Sequence, residues 1–411
     1  MLSPPRIDPE LVPTEAANPA VYVRTAFEGG DLARLVGEEL ARLSSPAEAA
    51  SAFLNLATLY QLAGRRDDAL ACQAAALERS RLFRHAAPRP AAPPLRLLAI
   101  VTAGDLMTNT PVELMLEGRA VEITKLFVRA DDEGFPPVPD HDLAMLAVGE
   151  SDDARALLQR LDGVGGRWPR PMINDAARSI AGLARDRLHL ALAGAPGILI
   201  PPTVRMARED FAAAASEAAK LQAALGGATF PIIVRPVGSH AGKALERLDG
   251  PEQAAAYLDE QPSPLLYVSP FIDYRSPDGR FPKYRIAVFG GRPYLAHLAI
   301  GEHWMVHYLN AGMAADPDKR AREEQAMLAF DEDFARRHAA AFAAMTDRLG
   351  LDYFAIDCAE APDGSLLVFE ADVAMIVHDL DPADLYPYKK RQMGKLFDAF
   401  EAFLRSHAGR R

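Results

Sequence analysis

The stretch that decides the fold is "DYFAIDCAEAPDGSLLVFEAD", Asp352 to Asp372. It alternates like a hairpin around the turn-forming "APDG". Pairing Glu360 with Ser365 places Phe354 opposite Ala371, Ile356 opposite Phe369 and Cys358 opposite Leu367. That face is apolar and suits burial against helices. The other face carries Asp357, Glu370 and Asp372, with Asp357 and Glu370 as diagonal neighbours roughly 7–8 Å apart. A one-residue slip of either strand would mix polar with apolar, so the apolar face supports this register. Carboxylates crowded on a mostly apolar sheet repel one another and lose hydration. A cation among them relieves both costs. Hard oxygen ligands without cysteine favour Mg²⁺, which is normally shared with phosphate oxygens. The alternative is that the acids are solvated at the hairpin's open edge.

Working back along the chain, a hairpin "YRIAVFGGRPYLAHLAI" turns at Gly290-Gly291 and carries Arg285. Before it, "PIIVRPVGSHAGKAL" (231–245) has a β-branched strand delivering Arg235. A loop of small residues follows, with Gly238, Ser239 and Gly242, where backbone N–H groups can approach phosphates closely. The P-loop spacing and the dinucleotide fingerprint are both absent. His240 reads as a polar loop residue. A helix is expected over 175–193, an amphipathic helix over 208–225, a charged helix near 331–349 and a closing helix over 389–407. Antiparallel pairs alternating with helices make 176–411 an α+β unit.

Further upstream, "LRLLAIVTAG" (95–104), "HDLAMLAVG" (141–149) and "RPMIN" (170–174) read as buried parallel strands with helices between. They imply a small parallel α/β domain over 93–175. The loop after its first strand offers Asp105 and Asn109 to a ligand; alternatively Asp105 caps the turn. "HAAPRPAAPPL" (85–95) is a Pro/Ala linker. Ahead of it, 20–84 is helical, and Phe53, Leu56, Ala57, Tyr60, Gly64, Ala69 and Ala76 follow one tetratricopeptide-type helix pair. Gln73 stands where that pattern prefers a large apolar residue. The region is either a hairpin packed on the rest of the chain or a partner-binding repeat.

The chain's 411 residues suggest two to four domains at roughly 100–200 residues each. Hydrophobic residues make up 49% and charged residues 25%, so the chain can fill more than one core. A net charge of −11 argues against nucleic acid or an anionic membrane as partner, so a phosphorylated ligand needs a local cationic pocket. The two cysteines, Cys72 and Cys358, make neither a disulfide framework nor a cysteine zinc site and fit a reducing compartment. The acidic, proline-rich start has no secretory pattern and no run approaches a membrane span, so a cytoplasmic location is expected.

The linked order, from cation-bearing strand and small-residue loop through "LLYVSPFI" and the arginine hairpin to the acid hairpin D-x12-E-x-D, resembles the ATP-grasp superfamily. These are carboxylate–amine ligases related to glutathione synthetase, D-alanine–D-alanine ligase and the ribosomal-protein glutamate ligases. The resemblance runs from about residue 95 to the C-terminus. It implies an α+β architecture: a small parallel α/β domain before ATP-grasp domains, here preceded by an α-helical region at 1–92. It implies ATP and Mg²⁺ as cofactors. Asp357 and Glu370 match the family's magnesium-binding acids, and Asp372 stands where the family usually has Asn. Arg235 and Arg187 replace phosphate-binding Lys, and the guanidinium is not equivalent. Tyr267, Val268 and Ser269 would form the hinge beside adenine. Arg285 looks like the arginine facing phosphate and the acyl intermediate, which with Arg235 makes the catalytic pair. Asn310 falls near the family's late substrate and metal residue.

His303, Trp304 and His307 are candidates for the substrate pocket. The two histidines at i, i+4 lack the carboxylate that would complete a metal motif. The expected partners are a small carboxylate and a small amine, with the N-terminal helices available for self-association or a protein partner. Two other readings stay open: an ATP-binding sensor or scaffold without catalysis, and a phosphotransferase.

Overall fold

A computed structural model describes residues 2–87, 93–239 and 242–409. Among the described residues the strands gather into three sheets with helices around them, a mixed α+β architecture. His240 and most of the Pro/Ala linker lie outside the described residues.

The first sheet has six strands: β1 Thr14–Glu15, β2 Leu82–His85, β3 Leu95–Val101, β4 Val121–Phe127, β5 Leu143–Leu146 and β6 Met172–Ile173, in the order β1-β2-β4-β3-β5-β6. Strands β3, β4, β5 and β6 run parallel, and the apolar runs of β3 and β5 are buried on both faces, as parallel strands covered on both sides should be. β4, "VEITKLF", was expected to be helical; its β-branched Val121, Ile123 and Thr124 suit a pleat better than a helix. β2 pairs antiparallel with β4, so residues 82–84 leave the helical pattern expected there.

The N-terminal region does not stand apart. Helices Ala49–Leu62 and Arg66–Arg79 pack as a hairpin. Ala50, Leu54, Ala76 and Leu77 share a core with Phe83, Ala99, Val101, Phe127 and Ala147 of the sheet. Gly64 turns the hairpin at φ +73°. Gln73 has a structural explanation. Its Nε2 donates to the Gly104 carbonyl at 2.9 Å, and its Oε1 accepts the Gly104 N–H at 2.8 Å. A polar side chain therefore clamps the loop after β3, where an apolar one would only fill space.

After β7 (Ile198–Leu199) comes a four-stranded antiparallel sheet, β10-β9-β11-β8, from β8 Val204–Ala207, β9 Ile232–Pro236, β10 Glu246–Leu248 and β11 Leu265–Pro270. It has its own core, which includes Phe211, Ile232, Val234, Tyr257, Leu266 and Val268. The expected helix over 208–225 breaks into Arg208–Ser216 and Ala218–Ala224. The helix expected over 175–193 likewise forms as Ala177–Ala181 and Arg185–Leu192, divided near Gly182.

The third sheet holds β12 Phe281–Phe289, β13 Arg292–Gly301, β14 Tyr353–Glu360 and β15 Leu366–Asp372, in the order β13-β12-β14-β15-β7. β12 and β13 turn at Gly290-Gly291, both with positive φ, as a two-residue hairpin requires. Asn174 fastens this sheet to the first unit. Its Nδ2 donates to the Tyr353 carbonyl and its Oδ1 accepts the Tyr353 N–H, both at 2.8 Å.

The deciding hairpin differs from the expected register. Asp357 lies directly opposite Glu370 and Ala355 opposite Asp372, two residues off the expected pairing. A bulge between Asp357 and Cys358 then shifts the ladder, so that Cys358 faces Val368 and Glu360 faces Leu366. The turn spans Ala361–Ser365, closed by the Ala361 N–H donating to the Ser365 carbonyl at 2.9 Å. The bulge absorbs the mismatch between this turn and the strands, so the three acids still share one face. Both faces of β14 are covered: Asp357 is 1% exposed, as buried as Ile356 or Cys358.

Candidate functional site

The acids of β14 and β15 meet cations from two other elements. β12 pairs Arg285 with Asp357, and strand alternation puts Lys283 on the same face while Tyr284 turns away to stack near Phe334. Arg285 donates from Nε to Asp357 Oδ1 at 2.8 Å and from Nη2 to Oδ2 at 3.0 Å. Lys283 Nζ donates to Oδ2 at 2.7 Å. Burial alone would push the Asp357 carboxyl up; Arg285 and then Lys283 outweigh it and hold the group far below the usual carboxylate range. Arg285 also donates to the Ile376 carbonyl at 3.2 Å.

Glu370 accepts from Arg185, at the start of the helix Arg185–Leu192. Burial raises the Glu370 carboxyl, but Arg185 overrides it and holds it low. Among the described residues Asp372 has no cation within bonding reach. Its Oδ1 accepts the Ala374 N–H at 3.1 Å, and burial, reinforced by Glu370, pushes it up to about 6. Glu150, just past β5, is pushed up to about 7 by burial and by Asp372.

The four-stranded sheet supplies the opposing side. Arg235 pairs with Tyr267 in the β9–β11 ladder. Its Nε donates to Ser239 Oγ at 3.1 Å and its Nη2 to the Ser239 carbonyl. Among the described residues it has no carboxylate within ion-pair distance. Burial, with Arg185 nearby, pulls the guanidinium down to about 10, and Glu370 is the acid it feels most. Gly238 and Gly242 both take positive φ, and a Cβ on Gly242 would lie 3.2 Å from Met305 Sδ, so the loop reaches towards the segment after β13. Tyr267, Val268 and Ser269 lie on β11; Tyr267 is buried, which raises its hydroxyl to about 12.

The other expected residues are placed differently. Arg187 is exposed, while Arg185, two positions earlier, stands against Glu370. The sequence "ARDRLHLAL" holds both arginines, and only the helix start separates their directions. Asp105 Oδ1 accepts the Met107 N–H at 2.9 Å and bonds the Thr108 hydroxyl, which makes it a turn cap. Asn109 spends both side-chain ends on the Thr102 backbone at 2.9 Å. His303 and Asn310 are exposed, and Asn310 Oδ1 accepts the His307 N–H at 2.8 Å. His307 is half-buried: burial, then Lys283 and Arg285, lower its pKa. Trp304 packs edge-on against Phe271 at 5.9 Å.

Whether the acids suit a metal ion is a question of free lone pairs. Among the described residues no group of three or more His, Cys, Asp or Glu side chains could hold one. Both oxygens of Asp357 and one of Glu370 already accept from cations. As folded, this donor set does not fit a resident Mg²⁺. Lys283, Arg185 and Glu150 were not singled out from the sequence. A signal existed for Lys283, two residues before Arg285 on one strand face.

No protein-family model and no curated protein matches the chain. Among solved structures it is similar to a RimK domain ATP-grasp protein from Sphaerobacter thermophilus DSM 20745, at 17% identity, 75% of this chain, 99% of that chain and a TM-score of 0.42. It is also similar to the VanG D-Ala:D-Ser ligase from Enterococcus faecalis, at 14% identity, 77% and 99% coverage and a TM-score of 0.46. A third is the D-alanine–D-alanine ligase from Bacillus anthracis complexed with ATP, at 15% identity, 77% and 99% coverage and a TM-score of 0.43. No helix among the described residues is long and apolar enough to cross a membrane.

Proposed function

We propose that the chain is an ATP-dependent ligase that joins a small carboxylate to a small amine, with the nucleotide's phosphates held between the four-stranded and five-stranded sheets. One observation carries the reading: Arg235 is a half-buried guanidinium with no carboxylate partner among the described residues, beside the positive-φ Gly238 and Gly242 and within the field of a cation-lined acid pair. Buried charges are normally paired, so an unpaired cation marks the place of an absent anion. Phosphate oxygens suit a guanidinium through parallel N–H donors.

In this reading the substrate carboxylate attacks the γ-phosphorus and the bond to ADP breaks, giving an acyl phosphate. The amine then attacks the acyl carbon, phosphate leaves, and the amine's surplus proton passes to solvent or a nearby base. The chain's part is positioning and charge stabilisation. Arg235 and the amides around Gly238 and Gly242 hold phosphate oxygens. Tyr267–Ser269 border the base. Arg285, Lys283 and Arg185 offset charge on the group in transit. Mg²⁺ arriving with the nucleotide would supply further neutralisation of the phosphates.

Incubation with ATP, Mg²⁺ and pools of amino acids tests the reading. ADP release that requires both an acid and an amine supports it; release independent of either contradicts it. A second reading, nucleotide binding without turnover, is favoured by the ion pairs that already satisfy Asp357. Saturable binding with no ADP release would select it.

A further inference from the structure

The acid pair solves its charge problem without a metal. Asp357 and Glu370 face each other across the β14–β15 ladder, and Asp357 is 1% exposed. Two opposed carboxylates in that setting need positive charge. An ion bound to Asp357 Oδ2 would sit roughly 2.0–2.1 Å from it, as Mg²⁺ does. The Lys283 ammonium already lies 2.7 Å from that same oxygen, with a side chain only 15% exposed. A dication and an ammonium cannot share that position without strong repulsion at low dielectric. The guanidinium of Arg285 covers the carboxylate's remaining edge, and Arg185 takes Glu370 Oε2. Lys283 is held from one strand over, on the same face as Arg285, so its placement follows from the pleat and needs no loop rearrangement.

We propose that Lys283 is a built-in cation of the site, an ammonium occupying the place on Asp357 where a divalent ion would otherwise sit. The nucleotide site then contains a fixed lysine charge at that point, and the free protein takes up no divalent ion there. This rests on the nucleotide reading only for what the site is for; the placement of Lys283 stands without it.

The test is Mn²⁺ binding to the full chain without nucleotide, followed by electron paramagnetic resonance. Wild type should leave Mn²⁺ free in solution. Lys283→Asp, which replaces the ammonium by a third carboxylate, should bind Mn²⁺ at least about tenfold more tightly than wild type. Adding Glu370→Gln to that variant should abolish the gain. Circular dichroism reports whether each variant is folded. If Lys283→Asp fails to fold with and without Mn²⁺, Lys283→Met is read by the same criterion. Wild-type Mn²⁺ binding that is lost in Glu370→Gln overturns the proposal. So does a folded Lys283 variant with no more affinity for Mn²⁺ than wild type. Because no nucleotide is present, a failure here leaves the ATP reading untouched, and a failure to bind ATP leaves this result untouched.

Discussion

Replacing Asp357 by Asn removes the negative charge that holds Lys283 and Arg285 in place. Those side chains are 15% and 17% exposed, against 1% for the acid, so water screens little of the loss. Breaking a buried ion pair by deleting one partner costs about 3–5 kcal/mol, because the orphaned charge stays buried. Here two cations lose one acid, yet Arg285 keeps its bond to the Ile376 carbonyl and Asn can still accept one donor. We therefore expect the lower end, about 3 kcal/mol. For a cooperative unit of 150–250 residues this lowers the melting temperature by roughly 6–12 °C. The loss should not depend on pH across the neutral range. The Asp357 carboxyl is held far below its ordinary range, so its stabilisation is present above the unfolded-state value near 4. It is lost only as pH falls through the depressed folded value. Scanning calorimetry at pH 5.5 and 7.5 measures both claims. The double variant with Lys283→Met should recover part of the loss, since one orphaned charge is then gone. A loss below about 1 kcal/mol, or strict additivity in the double variant, would refute the charge accounting.

Glu150 is raised to about 7, so the folded state binds its proton more readily than the unfolded chain does. Its contribution is fully present below the unfolded value and is lost as pH rises through about 7. Melting temperatures of wild type and Glu150→Gln, compared from pH 5 to 8, should diverge with wild type losing ground towards high pH; parallel curves contradict this. Gln73→Leu removes both bonds to Gly104 and leaves a backbone N–H without its acceptor, costing about 2 kcal/mol. Amide exchange at Gly104 should quicken in that variant, and unchanged protection would argue against the clamp. Asn174→Ala deletes the paired bonds to the Tyr353 backbone and leaves a small residue at φ +54°, so about 3 kcal/mol is expected in urea unfolding, with little effect if the two units are joined chiefly by apolar contact.

Much of the fold was legible where a single period dominated. The apolar runs of β3 and β5, the Gly290-Gly291 hairpin and the acid-bearing face of β14–β15 all follow from side-chain alternation and turn residues. β4 was missed because "VEITKLF" mixes charge into a strand whose other face is covered only by the fold. The register of the acid hairpin was misread because a bulge leaves the alternation intact on each side and adds one residue between. At the site, Arg285 and Arg235 could be found because each ends or interrupts an apolar strand. Arg185 could not be told from Arg187 without knowing where the helix begins. Gln73 looked like a defect in a repeat pattern, and its use appears only once Gly104 stands beside it. Asp105 and Asn109 carry the residue types of a ligand loop, but Asp105 Oδ1 caps the turn at Met107 and Thr108 and the Asn109 amide is spent on the Thr102 backbone.

The central claim is that Arg235 waits for a phosphate. Calorimetric titration of a non-hydrolysable ATP analogue, with Mg²⁺ present, into wild type and Arg235→Met tests it most directly. The account expects saturable binding to wild type, weakened by about 2–5 kcal/mol in the variant. It also expects the variant to melt no lower than wild type, since an unpaired half-buried charge has been removed. Absence of adenine-nucleotide uptake by the folded wild type, or equal affinity in the two proteins, would contradict it.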